Sequence, residues 1–117
     1  MQFKNKNIFF SPSDLITFLE SPFASHMERS LLEDKNKSDL LDPKDAMLDN
    51  LKKKGYEHES AFLSSLVSDG KNVLEIKNDK TELMLSKTKE AMVKGVDVIA
   101  QAYLKLDNFG GLADFLI

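Results

Sequence analysis

Val96-Asp97-Val98-Ile99-Ala100-Gln101-Ala102-Tyr103-Leu104-Lys105-Leu106 runs into Asp107-Asn108-Phe109-Gly110-Gly111 and then into Leu112-Ala113-Asp114-Phe115-Leu116-Ile117. Two apolar runs rich in β-branched and aromatic residues flank a cluster of turn formers. The stretch therefore reads as a hairpin, with a strand over 96–106, a turn over 107–111 and a last strand over 112–117. Before it, Gly95 closes a helical pattern over Thr81–Lys94, and Val73-Leu74-Glu75-Ile76 is short and β-branched enough for another strand. Further back, a helical pattern starts at Asp42, runs through Met47, Leu48 and Leu51, tolerates Gly55, resumes at Ala61, Phe62, Leu66 and Val67, and stops at Asp69-Gly70.

Three helix starts share one local chemistry, a capping residue followed by proline: Ser11-Pro12, Ser21-Pro22 and Asp42-Pro43. Proline costs nothing at the first helical position, where the amide is unpaired anyway. Asp14, three residues after Ser11, makes a variant of the capping box, and Leu15, Phe18 and Leu19 follow at helical spacing. Pro22 ends the first helix, so a sharp corner is expected between two short helices. The mixed-sign run over 33–39 reads as a surface loop. The order of helices, strand, helix and hairpin predicts an α/β (α+β) domain whose small sheet is covered by helices. Its last strand, with Leu112, Phe115, Leu116 and Ile117, would be an open edge. The sheet is expected to be completed by further sequence, by a partner or by a second copy.

At 117 residues the chain is one domain at most, here a helical part over 1–42 and a sheet-bearing part over 43–117. With 42% hydrophobic and 30% charged residues, it has the composition of a globular protein. A net charge of -3 argues against a nucleic-acid coat protein, yet leaves room for a nuclease, whose site gathers carboxylates around cations. The absence of cysteine excludes disulfides, thiolate nucleophiles and iron-sulfur ligation within the chain. No apolar run reaches the roughly 18 residues that span a bilayer, and no signal peptide opens the chain, so a cytoplasmic location is expected.

Two positions carry the chemistry. His58 falls on a stripe with Leu51, Gly55, Phe62 and Leu66, so its imidazole is expected to be at least partly buried. A core histidine with one hydrogen bond is the competing reading. Asp114 is a lone carboxylate in an apolar strand, on one face with Leu112 and Leu116, and needs a cation, hydrogen bonds or water. A strand carboxylate and a helix histidine suit a hard cation such as Mg²⁺ or Mn²⁺. Glu57 and Glu59 flank His58 on different faces, with Glu59 a candidate for contact with a ligand rather than the metal. Lys52, Lys53 and Lys54 read as a solvated face or as phosphate contacts, and His26 as structural.

Phe10-Ser11-Pro12-Ser13-Asp14-Leu15 with Phe18-Leu19-Glu20-Ser21-Pro22, then Gly55-Tyr56-Glu57-His58-Glu59, then Gly111-Leu112-Ala113-Asp114-Phe115-Leu116, resemble in order and spacing the opening of the RecB-like nucleases of the PD-(D/E)xK superfamily. The resemblance implies a partial restriction-endonuclease-like sheet flanked by helices and makes His58 and Asp114 metal ligands. It further implies a following Glu-x-Lys element that lies beyond this chain. Many relatives place an iron-sulfur cysteine where Ser21 stands here, so no cluster is expected. The complete enzyme would use metal-bound water to cut a DNA phosphodiester, with Mg²⁺ or Mn²⁺ as cofactor and a helicase as a partner. A noncatalytic module pairing through the open strand edge is the alternative from another class.

Overall fold

In a computed structural model that describes residues 1–117, the chain is mixed α+β, with two small sheets and the helices largely ahead of the larger one. The elements are β1 (Gln2–Lys4), β2 (Asn7–Phe9), α1 (Pro12–Glu20), α2 (Pro22–Glu33), a 3₁₀ turn (Lys35–Leu40), α3 (Ala46–Ser68), β3 (Val73–Glu75), α4 (Thr81–Lys94), β4 (Val98–Leu106) and β5 (Phe109–Leu116). No helix is long and apolar enough to cross a membrane. Two compact units emerge: Met1–Pro43 with Lys105–Gly111, and Lys44–Leu104 with Leu112–Ile117.

In the first unit, β1 and β2 pair antiparallel with Phe3 opposite Ile8. Their turn needs positive φ at both central residues, and Asn5 (49°) and Lys6 (65°) supply it. The two-proline corner forms as the local chemistry dictates. Ser21 ends α1 through its amide, which donates to the Thr17 carbonyl (2.8 Å), and starts α2 by accepting the Ala24 amide on Oγ (3.2 Å). Asp14 is buried at 9% exposure. Its Oδ2 accepts both the Ser11 amide and the Ser11 hydroxyl at 2.7 Å, and both carboxylate oxygens accept from the Met1 α-amine, at 2.7 and 2.8 Å. Burial by itself raises the Asp14 pKa. The bonds from the amine and from Ser11, with the amine's charge, outweigh it and hold the carboxyl below its ordinary value.

The tip of the β4–β5 hairpin belongs to this unit. Phe10 bridges Phe109 in parallel, its amide donating to Asn108 (2.8 Å) and its carbonyl accepting from Gly110 (2.9 Å), with the two rings stacked at 5.4 Å. A Cβ at Gly111 would lie 2.6 Å from Cδ of Pro12, whose ring is fixed at the start of α1. Gly111→Ala should therefore cost about 1–2 kcal/mol, read as a lowered midpoint in urea unfolding. An unchanged midpoint would show that α1 moves freely off the strand.

In the second unit, β3 and β4 run parallel with Val73 opposite Val98 and Glu75 opposite Ala100, joined through α4. β4 and β5 follow as a hairpin in the order β3-β4-β5. Helix α4 presents Met84, Thr88 and Ala91, at spacings of four and three, to a core of Ile76, Ile99 and Ala102. Ile99 and Ala102 are three apart, yet they share this core because Gln101 takes φ +56°, the left-handed excursion of a β-bulge that resets the alternation. The buried Thr88 hydroxyl secures the bulge: Oγ1 accepts the Tyr103 amide (3.1 Å) and donates to the Met84 carbonyl (2.9 Å). Gly95 closes α4 in the left-handed conformation (φ 71°), its amide donating to Ala91 (3.1 Å).

Four sequence expectations need correction. Helix α3 starts at Ala46 rather than after Asp42-Pro43, because Asp45 caps it by accepting the Met47 amide at 2.9 Å. The polar run after α2 is a 3₁₀ turn rather than an irregular loop, initiated by Asp34 accepting the Asn36 amide (3.0 Å). The hairpin turn is only Asp107-Asn108, and Phe109 to Gly111 already belong to β5. No residue of α3 is fully buried, so its apolar stripe does not sit in a core.

Candidate functional site

The two residues singled out for metal chemistry sit on α3 and β5, which meet through Phe62 and Phe115, edge to face with ring centroids 4.9 Å apart. Asp45 sets where α3 begins, and the 3.6-residue period then fixes which face each later residue occupies. His58 lies one turn before Phe62 and is exposed rather than partly buried, because the face of α3 that is partly covered turns through Glu59, Leu63 and Leu66 instead. Over 112–115 of β5, Ala113 and Phe115 are half-buried while Leu112 and Asp114 are exposed. By the two-residue period, Asp114 therefore projects from the face opposite to the one that meets α3. Leu116, placed by simple alternation with Asp114, is half-buried and packs against the core cluster instead.

His58 and Asp114 are thus carried on contacting elements, but their side chains leave on different sides of β5. Nowhere do three or more His, Asp or Glu side chains gather at a distance suited to a metal ion. A hard divalent cation takes six or more oxygen or nitrogen ligands, and two divergent groups do not make that set. The residues present do not by themselves fit a Mg²⁺ or Mn²⁺ centre. A Glu-x-Lys triplet does occur earlier, as Glu75-Ile76-Lys77 at the end of β3. However, β4 stands between β3 and β5, which sets Glu75 about two strand spacings, roughly 10 Å, from the strand of Asp114.

Glu59 is half-buried and takes part in no ion pair, whereas Lys52, Lys53 and Lys54 are exposed at the front of α3, 100° apart around the helix and so not on one face. Lys52 and Lys53 line a shallow surface groove of about 580 Å³ with Asp49, Tyr56, Glu57 and Ser60. Sequence reading missed a second groove, of about 370 Å³, between the end of β3 and α4. Lys77, Lys87 and Lys94 rim it over an apolar floor of Leu74, Ile76 and Ala91, and Lys94 is tied to Glu90 at 3.0 Å. The seven-residue spacing of Lys87 and Lys94 was the signal available for it. His26, read as structural, is half-buried on α2. No family model matches the sequence, and no curated protein or solved structure matches the chain.

Proposed function

We propose that this chain is the leading portion of a metal-dependent DNA nuclease of the RecB-like kind, and that residues 1–117 alone hydrolyse no phosphodiester bond. Support comes from the order of the three sequence motifs. The structural observation that carries the reading is the Phe62–Phe115 contact, which docks the histidine-bearing helix on the aspartate-bearing strand. Inactivity of the portion follows from its ligand count, since His58 and Asp114 are joined by no third metal-ligating group. In the complete enzyme the remaining ligands, including the Glu-x-Lys element, come from outside these residues. DNA is then the substrate, Mg²⁺ or Mn²⁺ the cofactor, Lys52 to Lys54 phosphate contacts, and the cytoplasm the place of work, with a helicase as partner.

Labelled single- and double-stranded DNA incubated with Mn²⁺ and the purified chain, or its Asp114→Ala variant, should stay intact in both cases. At high Mn²⁺, paramagnetic broadening of NMR signals should centre on His58 and Asp114, and the Asp114 focus should vanish in the variant. Cleavage by the unmodified chain that the variant loses would overturn the incomplete site. Broadening that ignores both residues would sink their assignment as ligands.

A second reading is favoured by the outer side of β5, which past Phe109 has no neighbouring strand. Such an edge is a template for β-pairing, and the noncatalytic role would be to receive a strand from a partner or from the remainder of a nuclease. Association that persists in Asp114→Ala without any response to Mn²⁺ is its signature.

A further inference from the structure

We propose that α3 pairs antiparallel with the α3 of a second copy of this chain, across a twofold axis at Gly55. The proposal does not rest on the nuclease reading. Its first ground is an apolar stripe that is bare over Met47, Leu48 and Leu51 and that Phe115 meets only at the edge of Phe62. Met47, Leu48, Leu51 and Phe62 are 68, 55, 56 and 40% exposed, and with Gly55 and His58 they fall at spacings of three and four along one side of a 23-residue helix.

The second ground is the stripe's symmetry. Leu48 and Phe62 lie seven residues to either side of Gly55, with Leu51 four residues before it and His58 three after. An antiparallel twofold at Gly55 sets Leu48 of one copy against Phe62 of the other, and Leu51 beside His58 and Glu59. At the crossing itself a Cβ on Gly55 would meet nothing within 4 Å, so the two backbones are free to approach closely there.

The third ground is charge. Lys52 and Glu59 are seven residues apart on the same flank of the stripe, and flanks on the same side meet in antiparallel pairs. Each Lys52 then lies beside the Glu59 of the other copy, twice per dimer, which supplies the ion pair that half-buried Glu59 lacks within its own chain. A parallel pair would instead crowd the two ends that carry Phe115 and the sheet. The antiparallel one lays the bare front half of each helix along the sheet-bearing half of its partner.

Sedimentation equilibrium on the whole chain should give a dimer. Leu51→Glu, at a position exposed in the single chain, should give a monomer with unchanged helix content. Lys52→Glu and Glu59→Lys should each weaken association about tenfold, because two attractive pairs become repulsive. The double variant Lys52→Glu/Glu59→Lys should return to within threefold of the original affinity. A monomeric parent chain, a dimer that survives Leu51→Glu, or a double variant no tighter than the single ones would each overturn the proposal. Survival of Leu51→Glu would point instead to pairing along β5.

Discussion

Asp14→Ala should lower the stability of the chain by about 3 kcal/mol in urea unfolding. The carboxylate is buried and takes four hydrogen bonds, two from the Met1 amine and two from Ser11. Removing it leaves the amine without its counter-charge and the Ser11 amide at the head of α1 without an acceptor. The charge and the cap separate by substitution. Asp14→Asn keeps an acceptor for Ser11 but no charge for the amine, and should lose roughly half as much. Acetylation of the Met1 amine should cost a similar amount. A change below 1 kcal/mol for Asp14→Ala would show that the amine reaches water at no penalty.

The same clamp predicts how stability varies with acid. The folded pKa of Asp14 lies below its ordinary value of 3.8, so on acidification the unfolded chain takes up this proton before the folded one does. The contribution of Asp14 is complete above the unfolded value and is lost as pH falls through the folded value. Below about pH 4 the difference in stability between the parent chain and Asp14→Ala should therefore shrink, while it stays constant from pH 5 to 7. A difference that is the same at pH 2 and pH 6 would assign the effect to packing alone.

Features written in adjacent residues were legible in the sequence. The Ser-Pro corners and the Gly95 stop need only a cap, a fixed φ and a left-handed residue, and α4 begins and ends where its pattern says. Asp14 was legible as a cap but not as the counter-ion of the chain's own amine, which depends on the β1–β2 hairpin bringing Met1 back to α1. The start of α3 was ambiguous because Asp42 and Asp45 are both good caps, and only the structure shows Asp45 accepting the amide. Periodicity drew the apolar stripe of α3 correctly but carries no information on whether anything lies against it, which is why His58 reads as partly buried and is exposed. Around Asp114, alternation gave the shared face of Leu112 and Asp114. It gave no hint that Phe115, on the other face, is what meets α3. The bulge at Gln101 has no local signature, since glutamine at positive φ is chosen by the sheet rather than by its own preference.

That bulge makes Thr88 the second position of large effect. Thr88 is fully buried, and its hydroxyl accepts the Tyr103 amide beside the bulge at 3.1 Å. Thr88→Val preserves shape but leaves that amide facing a methyl group, which should cost about 2 kcal/mol. Thr88→Ser keeps the oxygen and removes one methyl, with a cost of about 1 kcal/mol from the space left behind. Hydrogen exchange separates the two, because the Tyr103 amide should exchange much faster in Thr88→Val and stay protected in Thr88→Ser. The consequence reaches the sheet of the candidate site, since Tyr103 lies on β4, the strand that pairs with the Asp114-bearing β5. If Tyr103 remains protected in Thr88→Val, the bulge is held by the sheet alone.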